Sequence, residues 1–331
     1  MWILTMRCPM DLRVRAGETK LSSVRSLIAK CEGRSHEALT DVMRGHNFVG
    51  CASERLGIVQ HGTKLYMCDL PKLTQEAFYQ ACLRRFGDHD RITLRTPGCV
   101  KTLVRAVLDT SEAGWTPEDG GKDEIADYCS SLLCSDKGEM LDQYFGMGFK
   151  PDGTLSCLPE LIDNYIPPLG LLPMFLLRLA VEVDWDNEER CFDGVSKELA
   201  SFYSVRPGHT DLALPEELRR HVRSKVEAVA KAGDACDAGE GSATSQKQSE
   251  RDAASQGDAE LSKGEAAPQG DAELPKEDAA PQEDAAWRWC VQHVLFPGMR
   301  YVTLPPRSFA SDGTMVQLVC TSQLYRVFER C

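Results

Sequence analysis

Leu171-Leu172-Pro173-Met174-Phe175-Leu176-Leu177-Arg178-Leu179-Ala180-Val181-Glu182-Val183 is the stretch any fold for this chain must bury. Pro173 starts the run, and it is apolar on every side except at Arg178 and Glu182. Its periodicity therefore does not decide between helix and strand, but both alternatives place it inside. It is no membrane span. The longest apolar stretch, Leu169 to Leu177, is broken by Gly170 and Pro173 and closed by Arg178.

Working outward, Asp186 with Glu189 three residues on resembles a capping box, with Asp in place of Ser or Thr. The helix it predicts puts Phe192, Val195, Leu199, Phe202 and Tyr203 on one face. Upstream, Ser35 is read as the N-cap of a helix carrying Leu39, Val42 and Met43. His46 to Cys51, Leu56 to Gln60 and Lys64 to Asp69 are short apolar-rich runs between Gly and polar turns, a meander of strands. Helices are expected from Thr74 through Phe86, from Gly98 to Leu108, and from Asp123 towards Phe145. Lys150-Pro151-Asp152-Gly153 has the turn chemistry for a hairpin joining Met147–Phe149 to Thr154–Cys157. Downstream, Trp287 to Leu295 suggests a helix that Pro297-Gly298 breaks. Asp312-Gly313 is a turn leading into a strand at Met315 to Val319.

The 331 residues allow two domains, or one with an insertion, and 42% hydrophobic content supports a sizeable core. The formal charge of −12 is localised. Gly233 to Ala286 holds 14 of the 50 acidic and 4 of the 38 basic residues, leaving 36 against 34 elsewhere. No basic tract marks an independent DNA footprint. In that acidic stretch Gln256–Leu261 recurs at Gln269–Leu274, and only Leu261 and Leu274 are large aliphatics. Its composition predicts a disordered insertion grown by duplication. Fourteen Cys include no C-x-x-C pair. Cys51, Cys68, Cys82, Cys129, Cys157, Cys191, Cys290 and Cys320 are read as small buried hydrophobes in a reducing compartment. The opening Met1 to Arg7 does not make a signal peptide, and the expectation is a soluble intracellular protein.

Several motifs add a family resemblance. Asp163-Asn164-Tyr165-Ile166-Pro167-Pro168-Leu169, Leu177 to Trp185 and the ending Phe328-Glu329-Arg330-Cys331 resemble the C-terminal domain of the MutL family, in its homologue-one branch. His46-Asn47-Phe48-Val49-Gly50-Cys51, Thr63–Tyr66, Gly114–Gly120 and Leu304-Pro305-Pro306 match in the same order. The resemblance runs from about Lys20 to Cys331, apart from the one insertion. It implies an α+β (mixed α/β) domain of MutL C-terminal type. A dimerisation subdomain would comprise 20–75 and 171–210 with 287–331, and an external subdomain 76–170. The acidic insertion is 233–286, and residues 1–19 are an unassigned lead-in.

Function by resemblance is DNA mismatch repair in the nucleus, through a non-catalytic subunit paired with a PMS-type endonuclease subunit. Exonuclease one and other repair factors would bind through short aromatic-ended peptides, and DNA only through the complex, with no membrane. The alternatives are a peptide-binding adaptor with no metal role and a stand-alone metal-dependent nuclease. No glycine-rich phosphate loop is present, and nothing resembles the N-terminal ATPase domain of the family. The nuclease motif of PMS-type partners, Asp-Gln-His-Ala-x2-Glu-x4-Glu, finds only Asp142-Gln143 here, followed by Tyr144-Phe145. No catalytic residue is therefore assigned, and the chain alone is expected to bind no cofactor. Partner binding is assigned to Leu324, Tyr325, Phe328, Glu329, Arg330 and Cys331. The first three fall at one-turn spacing, and a Cys at the tip offers a soft thiolate. The resemblance implies that Cys331 reaches a shared zinc at the partner's endonuclease site.

Overall fold

The computed structural model describes residues 21–206 and 286–320. The lead-in, nearly all of the acidic insertion, and every residue of the tail from Thr321 to Cys331 lie outside the described residues. Two helices open the fold, α1 (Ser22–Arg34) and α2 (Glu37–Gly45). Ser35 does not cap α2; its hydroxyl instead closes α1 on the Glu32 carbonyl. The α2 cap is His36, whose ring accepts the Leu39 N–H.

Strands β1 (Asn47–Cys51), β2 (Leu56–His61) and β3 (Lys64–Asp69) form the predicted meander. Strand β6 (Met315–Cys320) returns beside β3, giving an antiparallel sheet in the order β1-β2-β3-β6. At the end of β3 the Asp69 side chain accepts the Lys72 N–H and caps α3 (Leu70–Arg84). That helix therefore starts at Leu70 and not at Thr74. Thr74 instead turns inward, donating to the Leu70 carbonyl at 2.7 Å and accepting the Val205 N–H at 3.1 Å.

Beyond α3, β4 (Asp90–Cys99) has no counterpart in the sequence reading, and Gly98 belongs to it. The helix expected from Gly98 is thus α4 (Val100–Val107). The predicted hairpin forms on one side of β5 (Thr154–Glu160): Phe149 bridges Leu155, the Gly148 N–H donates to the Cys157 carbonyl, the Ser156 N–H to the Gly148 carbonyl and the Lys150 N–H to the Thr154 carbonyl. Along its other side β5 pairs with β4. Between them, the long helix expected from Asp123 is divided. α5 (Lys122–Ser131) runs into a π turn at Leu132–Asp136, and α6 (Gly138–Phe145) starts afresh. An added Cβ at Gly138 would lie 3.1 Å from the Leu133 carbonyl, so the restart is closely packed.

The Leu-rich run is α7 (Leu172–Glu182), with Leu172, Phe175, Leu176, Leu177, Leu179 and Ala180 buried. Its Arg178 makes a two-pronged ion pair with Glu198, at 2.7 and 2.8 Å, on α8 (Glu188–Tyr203). Asn187, not Asp186, caps α8 by accepting the Arg190 N–H. The expected face of α8 is buried. After residue 286 a helical run passes through a π turn at Val291–Leu295 into α9 (Phe296–Val302). Pro297 does not break it. It follows closely on the π turn, where the regular i→i−4 ladder is already interrupted.

Helices and strands share one contiguous core in a mixed α+β fold. Trp287, Tyr165, Tyr203 and Phe78 are among its largest fully buried side chains. Tyr165 donates to the Tyr203 carbonyl, and Tyr203 to the Pro159 carbonyl, so the buried hydroxyls are satisfied. Of the eight cysteines read as buried, Cys51 and Cys320 are only half-buried; the other six are buried. None of the eleven described cysteines is in a disulfide. Burial pushes Cys68, Cys82 and Cys290 up to about 12.

Candidate partner-binding surface

The four-stranded sheet has two unlike faces. Val59, Tyr66, Cys68 and Met315 are buried on the core side. Alternation places Ile58, Met67 and Val316 on the other side, where the register aligns them as one row across β2, β3 and β6. Ile58 and Met67 are half-buried, and Val316 is exposed. Two register shifts add to this surface. Val49 falls at the shift in β1 and is 56% exposed. Leu318 falls at the shift between β3 and β6 and is 49% exposed. A sheet face meant for water would carry polar residues at these positions. An apolar row there is a candidate docking surface.

The two edges differ as well. At β1 the Arg300 guanidinium donates to the His46 carbonyl at 2.6 Å, and the Arg288 guanidinium to the Cys51 carbonyl at 2.9 Å. Charged groups thus cover both ends of that edge. The β6 edge carries Val316 and Leu318, and Cys320, opposite Lys64, leads straight into the tail at Thr321. The assigned residues Leu324, Tyr325, Phe328, Glu329, Arg330 and Cys331 lie beyond this point, outside the described residues. What the structure adds is their point of departure, at the end of the apolar edge strand.

The motif His46–Cys51 builds this platform. His46 is buried, with Nδ1 2.6 Å from the Met43 carbonyl and its ring edge-on to Phe296. Desolvation holds its pKa below the ordinary value. Phe48 packs on the same Phe296 at 4.5 Å, fastening β1 to α9. The motif Gly114–Gly120 is likewise architectural. Trp115 donates from Nε1 to the Gly120 carbonyl, Thr116 and Asp119 cap each other, and the Lys122 ammonium lies 4.4 Å over the indole.

Asp142 lies on α6 in an ion pair with Arg91 at 2.7 Å, and Gln143 is exposed. Among the described residues no three His, Cys, Asp or Glu side chains gather as a metal site. No helix among them is long and apolar enough to cross a membrane. Sequence reasoning did not find the outward row Ile58, Met67, Val316 with Leu318. Its one available signal was β6 itself, where Met315, Val316, Leu318 and Val319 are apolar without strict alternation.

Residues 20–331 match the family model described as DNA mismatch repair protein Mlh1 C-terminus. The chain is similar to DNA mismatch repair protein Mlh1 of Dictyostelium discoideum, at 32% identity over 95% of this chain and 30% of the relative. It is similar to DNA mismatch repair protein MLH1 of Saccharomyces cerevisiae, at 29% identity over 94% of this chain and 34% of the relative. A putative MutL protein homolog 1 of Schizosaccharomyces pombe is 30% identical over 56% of this chain and 26% of the relative. The chain spans about a third of the length of the first two curated relatives.

Proposed function

The chain belongs to the family of DNA mismatch repair protein Mlh1 C-termini, and from that membership we propose that it serves DNA mismatch repair as a non-catalytic heterodimerisation module. The observation that carries the reading is the apolar outward row Ile58, Met67 and Val316 with the exposed Leu318 on the same sheet. The partner is a PMS-type MutL subunit, and the setting is the nucleus. The segments 20–75, 171–210 and 287–331 form the dimerisation part, and 76–170 the external part. Short peptides from exonuclease one and other repair factors dock on the same chain, and DNA is engaged only through the complex.

This chain's contribution to a metal is one thiolate, that of Cys331, offered to a zinc whose other ligands belong to the partner. Zinc there would supply Lewis-acid chemistry to the partner's phosphodiester hydrolysis. The residues of this chain only bind, orient and cover.

The test is a Val316→Asp, Leu318→Asp double variant, mixed with a PMS-type C-terminal domain. Both side chains are exposed in the free chain, so the melting temperature should hold within a few degrees. Affinity should fall at least a hundredfold, because two charges would be buried without partners. Unchanged affinity would remove the sheet face from the interface.

A further inference from the structure

Of the 17 prolines in the sequence, two follow a hydroxyl-bearing residue, in Thr96-Pro97 and Thr116-Pro117. That dipeptide suits a proline-directed kinase. Proline brings no N–H that would need a partner in the kinase cleft, and it holds the residue before it extended. Both threonines are exposed, yet the fold treats them differently.

Thr96 lies where the ladder between β4 and β5 breaks. Thr93 is opposite Cys157 and Gly98 opposite Leu155, so the four residues Leu94–Pro97 pass Ser156 alone. Ser156 does not hold them, because its N–H and its hydroxyl both donate to the Gly148 carbonyl, at 2.8 and 2.9 Å. Leu94 is buried and anchors the bulge, while Arg95, Thr96 and Pro97 are exposed. The Thr96 hydroxyl makes no hydrogen bond among the described residues. The backbone stays extended from Asp90 to Cys99, a shape that a cleft can align for in-line transfer. Thr116 is held instead. It caps the short 3-10 turn Pro117–Asp119, where its N–H and its hydroxyl donate to one Asp119 oxygen at 2.7 and 2.9 Å. The chain after Pro117 therefore curls back, and a phosphate on Thr116 would meet the carboxylate it now bonds.

We propose that Thr96 is a phosphorylation site for a proline-directed Ser/Thr kinase, and that the fold withholds Thr116 from the same enzyme. The Thr96 hydroxyl oxygen attacks the γ-phosphorus of ATP. The new O–P bond forms as the bond to the β,γ-bridging oxygen breaks, the hydroxyl proton passes to the kinase's base, and ADP leaves. The product carries a charge of about −1.5 to −2 on the bulge. The β4–β5 sheet is separate from the sheet that bears the apolar row, so the idea stands or falls apart from heterodimerisation.

The experiment incubates the full chain with magnesium and ATP, once with a cyclin-dependent kinase and once with a mitogen-activated kinase, then maps phosphate by digestion and mass spectrometry. Phosphate is expected on Thr96 in roughly tenfold or greater excess over Thr116, whose hydroxyl must first leave a charged hydrogen bond. Synthetic peptides copying residues 91–101 and 111–121 lack the fold and should differ far less. Thr96→Ala should lose nearly all incorporation at an unchanged melting temperature, Thr96→Ser should keep it, and Thr116→Ala should leave it as it was. Phosphate chiefly on Thr116, equal incorporation in Thr96→Ala, or no incorporation with either kinase would overturn the proposal. The same excess in the peptides would show that the fold does not make the choice, and would overturn the withholding of Thr116.

Discussion

Gly298 shows where single-residue reading succeeds and where it stops. Beside Pro297 it looked like a helix breaker, yet its Cβ would lie 2.4 Å from Ile162 Cγ2, across a long gap in sequence. The glycine is there for close approach to the Asp163–Leu169 motif region, which no local pattern announces. Gly298→Ala should therefore destabilise by about 1–3 kcal/mol, read as a lower denaturant midpoint. Gly33→Ala, on α1 with nothing within 4 Å, should instead be neutral or slightly stabilising. Two histidines carry a pH signature. Burial holds His46 below its ordinary value and pushes His89 down to about 3; both ring nitrogens of His89 are buried without a hydrogen-bond partner. His89 is therefore neutral when folded down to about pH 3, and His46 takes up its proton at a lower pH than in the unfolded chain, so the unfolded chain binds more protons once pH drops below about 6.5. Stability is thus complete above that pH and declines from there towards pH 3, by at most about 1.4 kcal/mol per pH unit per histidine. A His89→Gln variant should flatten part of this slope in melting curves between pH 7 and 4; an unchanged slope would mean His89 stays protonated when folded.

At the scale of elements, strongly periodic segments were legible and their ends were not. The face of α8 was read correctly because Phe192, Val195, Leu199, Phe202 and Tyr203 repeat at helical spacing. Its cap was misread by one residue, since Asp186 and Asn187 are both good caps and only backbone geometry chooses between them. Asn187→Ala should cost about 1 kcal/mol, whereas Asp186→Ala should be nearly silent. Equal effects in thermal unfolding would return the cap to Asp186. β4 escaped detection because Ile92 and Leu94 are its only buried apolar positions before Pro97-Gly98. The start of α3 was missed because Asp69 serves at once as the end of a strand and as a cap.

For the molecule as a whole, the family was legible in motifs scattered along the chain, and the surface was not. Which face of a sheet meets solvent depends on what the helices cover, and that is a property of the assembled layers. The composition of Gly233–Ala286 makes its own prediction. With Leu261 and Leu274 its only large aliphatics, deleting Ala235 to Asp284 should move the melting temperature by no more than a few degrees. A larger drop would show that the segment packs. One consequence of the strand order concerns synthesis. β6 lies beside β3, and Thr63 contacts Cys320 across 257 residues of sequence. While the chain grows on the ribosome, β3 has one flank unpaired until nearly all of this sequence has emerged. A product truncated anywhere before Met315 would keep that flank open for good. Such a chain offers a sticky template for aggregation where the finished one offers a surface for assembly.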